Sequence, residues 1–198
     1  MTDQFSIVVC ASGGGGNFQA LINARQSLNV QIVLLIVDRE CGAIDRAVKE
    51  GIPYFRIQAR TEQDDFSDRV IGVVPETTDL IVLAGFMPIL PPAVCEHWRG
   101  RIINTHPSLL PKFGGRGMYG VKVQEAVMAA GEKQAGCTVH YVDEQIDGGQ
   151  IILQRSIDVD YAQTPWQLGA RVFAEENKLL VEAVKLIRTS GTNRTLGT

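Results

Sequence analysis

Three segments of this chain combine residue types that could do chemistry. The first is Ile102-Ile103-Asn104-Thr105-His106-Pro107-Ser108-Leu109-Leu110-Pro111. A neutral imidazole takes a proton near neutral pH, and a primary amide can donate to a developing oxyanion. If Ile103 and Thr105 share one face of a strand, Asn104 points to the other and His106 follows at the carboxyl end. Open α/β sheets bind their ligands at that end. Pro107 and Pro111 stiffen the backbone behind the histidine. The second segment is Asp143-Glu144-Gln145-Ile146-Asp147-Gly148-Gly149, three acids with a Gly-Gly hinge. Alone it reads more readily as a solvated acidic hairpin, and His106 alone reads equally as a packed structural histidine. Their presence together favours a site. The third segment, Ser12-Gly13-Gly14-Gly15-Gly16-Asn17, lies between a strand and a helix. There backbone N–H groups can approach an anion closely and the helix N-terminus adds a favourable dipole, so it reads as a phosphate seat. It is neither a G-x-G-x-x-G fingerprint nor a Walker loop. Asp38, after the second strand, keeps a nicotinamide reading open.

These segments need a frame. Ser6–Ala11 reads as a buried strand and Asn17–Leu28 as a helix. Val30–Val37 is apolar on both faces, as in a parallel strand covered on each side. Ala43–Glu50 reads as a helix, Pro53–Ile57 as a short strand, and Glu62–Val73 as an amphipathic helix. Asp79–Ala84 and Arg101–Thr105 are further strands. Such alternation predicts an α/β, Rossmann-like, mostly parallel sheet with right-handed crossovers and helices on both faces. A Pro- and Gly-rich loop follows at 107–120, long enough to be functional or mobile. After the helix Val121–Ala130, the strands Cys137–Val142 and Gln150–Val159 are expected to pair antiparallel across the turn at 143–149. Thr164 caps the last helix, with Pro165 at its first position, and that helix runs to about Arg188. Thr189–Thr198 reads as a frayed tail. No linker divides the 198 residues, so one domain over 1–198 is expected.

Composition narrows the classes. Hydrophobic residues are 45% and charged residues 21%, ordinary for a globular protein. A net charge of −3 does not favour nucleic acid or an anionic membrane. The longest apolar run, Ile32–Val37, is far too short to span a bilayer. No basic region precedes the first apolar run, so no signal peptide is expected and the chain reads as cytoplasmic. Cys10, Cys41, Cys95 and Cys137 are scattered without a C-x-x-C pair and read as buried reduced thiols. No metal site is expected.

The combination of Val9–Leu21, Leu83–Leu90, Asn104–Pro111 and Asp147–Ile152 resembles the phosphoribosylglycinamide formyltransferases, folate-dependent enzymes of purine synthesis. The resemblance runs from the first strand to the final helix. It implies formyl transfer from 10-formyltetrahydrofolate, the co-substrate, to the amine of 5'-phosphoribosylglycinamide, with both small molecules as partners. By the same resemblance Asn104, His106 and Asp147 are the catalytic set. Gly15, Gly16, Asn17, Pro107 and Glu176 receive the ribonucleotide. Phe86, Met87, Pro88, Ile89 and Leu90 form one folate wall; Val142, Asp143 and Glu144 form the other, with Asn104 between. Two positions depart from the family pattern. Gly16 replaces a usual serine, so the backbone must supply more of the phosphate binding. Pro88 replaces a frequent basic residue and cannot donate an N–H. Asp147 is expected to orient His106 and to favour its charged form.

His140, on a predicted strand, reads equally as a partner of the site or a packed strand histidine. His97 reads as a surface helix residue without a role. Gly114–Gly120 suggests a mobile cover over the cleft, with Arg116 meeting an anionic part of either ligand. Competing readings are a 10-formyltetrahydrofolate hydrolase, another folate-dependent formyltransferase, and a nucleotide-binding Rossmann module. A homodimer stays open.

Overall fold

The computed structural model describes residues 4–57 and 66–191. One seven-stranded sheet runs in the order β3-β2-β1-β4-β5-β6-β7. Its strands are β1 (Phe5–Ala11), β2 (Val30–Val37), β3 (Tyr54–Arg56), β4 (Leu80–Leu83), β5 (Ile102–His106), β6 (Gln134–Tyr141) and β7 (Ile151–Asp158). The first five are parallel. β6 and β7 are antiparallel, as expected from the two apolar runs on either side of the acidic turn. The helices are α1 (Gly16–Leu28), α2 (Gly42–Lys49), α3 (Phe66–Val73), α4 (Pro92–His97), α5 (Val121–Ala129) and α6 (Pro165–Ser190).

Two apolar layers hold the sheet. Ile7, Val9, Leu35, Val37 and Ile103 face residues from α1, α2, α5 and α6. Val8, Cys10, Ile36, Ile81 and Ile102 face the other side, packed with Phe66, Val70, Val94 and Trp98 from α3, α4 and its C-cap. The alternation of neighbours between layers is the period-2 side-chain pattern of a strand covered on both faces. α6 begins with a reciprocal cap: Thr164 Oγ1 accepts from Gln167 N, and Gln167 Oε1 accepts from Thr164 N. Such a box satisfies two backbone donors that the first turn would otherwise leave free.

Several boundaries differ from the sequence reading by a residue or two. The helix expected from Glu62 begins, among the described residues, at Phe66, and positions 62–65 lie outside them. α6 extends to Ser190 rather than Arg188, so Thr189 and Ser190 belong to the helix; the rest of the expected tail, from 192, lies outside the described residues. Cys10, Cys95 and Cys137 are buried thiols as expected, whereas Cys41, beside the start of α2, is only half-buried. His97 ends the surface helix α4, 3.2 Å from Glu76 Oε1.

Candidate active site

The carboxyl ends of β1, β4 and β5 open into one cavity of about 1050 Å³. The chain turns to opposite sides of the sheet after β1 and β4, which is where open α/β sheets leave a crevice. The loops after these two strands are tied together. Ser12 N donates to Gly85 O, and Met87 N donates to Ser12 Oγ at 2.8 Å. Every residue singled out above as catalytic, ribonucleotide-binding or folate-binding lines this one cavity. Asp38 does not line it; its carboxylate is held by Arg39 at 2.6 Å, which removes the reason for a nicotinamide reading.

Asn104, His106 and Asp147 come together from two distant parts of the chain. His106 ends β5 and is buried. Its Nε2 donates to the carbonyl of Phe113 at 2.9 Å, and its Nδ1 lies 3.6 Å from Asp147 Oδ2. Gly115 N donates to the same Asp147 oxygen at 2.8 Å. Asp147 sits at φ 56 in the turn between β6 and β7. That turn depends on Gly149, where an added Cβ would lie 1.9 Å from the carbonyl oxygen of Tyr141. The Gly-Gly pair is therefore a packing requirement that delivers Asp147 to the histidine.

His140 resolves as a partner of the site. Its Nδ1 faces the carbonyl of Tyr141 at 2.8 Å, so that nitrogen must carry the proton. Nε2 then has only a lone pair, and Asn104 Nδ2 donates to it at 3.2 Å. The ring thus fixes which end of the Asn104 amide is NH₂ and leaves its second N–H for a ligand. Burial holds the His140 pKa below the ordinary histidine value, in keeping with a neutral acceptor. Asp147 Oδ1 lies 3.7 Å from His140 Nε2, so one carboxylate faces both imidazoles.

The glycine turn closes the other end of the cavity. Gly15 has φ 71 and caps α1. A Cβ on Gly16 would lie 2.4 Å from the tip of the Phe173 ring, so a side chain there would require that ring to turn aside. Asn17 Nδ2 donates to Glu176 Oε1 at 2.5 Å. Burial raises the Glu176 pKa, and hydrogen bonds from Asn17 and Thr105 only partly offset this. Two residues that border the cavity each bury a side-chain oxygen without a partner among the described residues: Asn17 Oδ1 and Gln124 Oε1. Buried polar atoms of this kind are ordinarily satisfied by ligand or water.

Along the 86–90 wall, Phe86 and Leu90 turn into the core while Met87 and Ile89 stay exposed and line the cavity. The opposite wall is Val142–Glu144, anchored by Val142 N donating to Ile102 O. Arg116, Met118 and Tyr119 of the 114–120 loop also border the cavity. Sequence reasoning missed Arg46, Gln124, Trp166 and Phe173, which line it too. Trp166 is 72% exposed on the first turn of α6, and an exposed tryptophan beside a cleft was the one signal available.

The family comparison says to which class of protein this fold and cavity belong. Residues 5–184 match the formyl transferase model, so the chain belongs to the formyl transferase family. Among curated relatives, the chloroplastic phosphoribosylglycinamide formyltransferase of Arabidopsis thaliana is 37% identical over 188 residues, covering 91% of this chain and 64% of the relative. This chain therefore spans just under two thirds of that protein. A crystal structure of phosphoribosylglycinamide formyltransferase from Anaplasma phagocytophilum superposes with a TM-score of 0.85 at 37% identity, covering 95% of this chain and 89% of that one. A formyltetrahydrofolate deformylase from Pseudomonas putida superposes with a TM-score of 0.79 at 28% identity, covering 92% of this chain and 64% of that one. No helix among the described residues is long and apolar enough to cross a membrane.

Proposed function

We propose that this chain, as one formyltransferase domain, moves the formyl group of 10-formyltetrahydrofolate to the amine of 5'-phosphoribosylglycinamide. The observation that carries this reading is the convergence of Asn104, His106 and Asp147 in a cavity that ends in a glycine-lined anion cradle. The cradle fits a phosphate, and Asn17, Gln124 and Glu176 around it offer polar side chains to the body of a ribonucleotide. The slot between Met87–Ile89 and Val142 fits a flat pterin.

The amine attacks the formyl carbon, a C–N bond forms, and the carbonyl electron pair moves to oxygen. Asn104 donates its second N–H to that oxyanion, held in register by His140. Collapse breaks the bond to the folate nitrogen, which leaves with a proton. The amine gives up one proton in the same sequence, and His106 carries it between the two nitrogens. Asp147 orients the ring and faces its positive charge. Both nitrogens of His106 have partners, so one must release before it meets substrate. The Phe113 carbonyl is the partner taken to withdraw, since it precedes the glycine-rich 114–120 run.

The test supplies 10-formyltetrahydrofolate with and without the ribonucleotide and follows tetrahydrofolate. Release that requires the amine supports transfer. Equal release without it moves the chain to the hydrolytic reading that the deformylase neighbour represents. No release in either arm overturns both.

A further inference from the structure

We infer that Arg46 is the side-chain cation that reads the anion in the glycine cradle, an inference that rests on the proposed ribonucleotide substrate. A dianionic phosphate needs charge-assisted donors as well as backbone N–H groups. Around this cradle few side chains can supply them. The Ser12 hydroxyl accepts from Met87 N and keeps one neutral O–H to give, and Gly16 offers only its backbone N–H. Asn17 is 4% exposed, its amide is given to Glu176, and its carbonyl oxygen is buried and can only accept. Arg116 follows Gly115, which is bound to Asp147 at the histidine end.

Arg46, on α2, stands against the cradle itself. Its Nε donates to Gly14 O at 2.7 Å and its Nη1 to Gln19 Oε1 at 2.7 Å. Its Cδ would lie 3.2 Å from a Cβ on Gly15. The start of α2 holds the same turn through Ala43 N donating to Gly13 O. A guanidinium has five N–H donors. Two are spent on this grip, so about three remain for the cavity that Arg46 lines. Arg46 forms no ion pair with a described carboxylate, whereas Arg25, Arg39, Arg56 and Arg155 each do. Its charge is therefore not neutralised before a ligand arrives. The residue does two things at once: it sets the carbonyl of Gly14, and it presents an uncompensated planar fork beside the N–H groups.

Thermal shifts with ribose 5-phosphate and with ribose separate these roles, and steady-state kinetics with the ribonucleotide complete the test. In the wild type, ribose 5-phosphate raises Tm and ribose does not. Absence of that difference overturns the phosphate seat, and with it the substrate reading on which Arg46 depends. Given the difference, Arg46→Gln removes most of the phosphate-dependent shift and raises KM for the ribonucleotide by about 10- to 100-fold, the loss falling on KM rather than kcat. Arg46→Lys, which keeps the charge but not the fork, falls between the two. A merely structural brace would weaken ribose 5-phosphate no more than a folate ligand at the other end of the cavity, and that result, or an unchanged KM in Arg46→Gln, overturns the inference. Should Arg46→Gln fail to fold, Gln19→Glu neutralises the guanidinium in place. It is expected to abolish the phosphate-dependent shift, and a wild-type shift in that variant overturns the inference equally.

Discussion

His106 has a backbone carbonyl on one ring nitrogen and a carboxylate 3.6 Å from the other, surroundings that suit the proton carrier proposed above. His106→Ala is expected to lower turnover by roughly 100- to 10,000-fold while leaving the far-ultraviolet circular dichroism unchanged. Near-normal turnover of the folded variant would reject the assignment. The neighbouring His140 is set the opposite way. Its burial and its lone-pair contact with Asn104 keep it neutral, so its NMR titration midpoint is expected below the ordinary 6.5. Below that value the unfolded chain takes a proton that the folded ring resists, so His140 costs stability as the pH falls through it. A midpoint at or above 6.5 would contradict the neutral-acceptor role. Glu176 carries the converse sign for an acid. Between its ordinary value near 4.5 and its raised folded value, the folded state holds a proton that the unfolded state has lost. Stability is thus full below about 4.5 and is lost as the pH rises through the folded value. Glu176→Gln keeps an acceptor for Asn17 without that loss. Its Tm relative to wild type is expected to climb with pH and then level off; a flat difference from pH 4 to 8 would refute the buried-acid reading.

At the scale of elements, the turn from β6 to β7 bears the greatest constraint, because it must carry Asp147 across the open end of the sheet to β5. Gly149→Ala drives a Cβ into the Tyr141 carbonyl, with overpacking expected to cost about 1–3 kcal/mol. Turnover should fall with it as the carboxylate moves from His106. Urea midpoints and kcat measured together check this; an unchanged midpoint would mean that the turn yields freely. β1, β2 and β4 were legible in the sequence because each is an apolar run, and β2 matches Val30–Val37 residue for residue, whereas β6 starts at Gln134, three residues before the expected Cys137. The short helix α4 was legible only through His97, since six residues after two prolines carry too little periodicity. The residues expected to form the catalytic set and the two ligand walls were legible as motifs, and the fold brings them to one cavity. The Phe113 carbonyl on His106, the Phe173 ring over Gly16 and the Arg46 grip on Gly14 were not, since each depends on how one element packs against another. Trp166 and Phe173 sit where helical periodicity assigns side chains to solvent, and only the tertiary arrangement turns them toward a cleft.

Across the whole molecule, the cavity joins two unlike ends. The cradle end is built from α1, α2 and α6, and the apolar slot from the segments after β4 and β6, with Asn104, His106 and Asp147 between them. At about 1050 Å³ the cavity stands at the upper limit for a single small-molecule site, which suits the two substrates proposed for it. Ligands seated at separate ends add their stabilisation, whereas ligands sharing one seat displace each other. A ligand at 100 times its Kd adds about 2.7 kcal/mol, which for a chain of this size raises Tm by roughly 5–10 °C. Ribose 5-phosphate and tetrahydrofolate, each at such excess, are expected to give shifts that sum when both are present. If each abolishes the shift of the other, they compete for one seat, and the two-ended cavity is the wrong description of how this fold brings an amine to a formyl carbon.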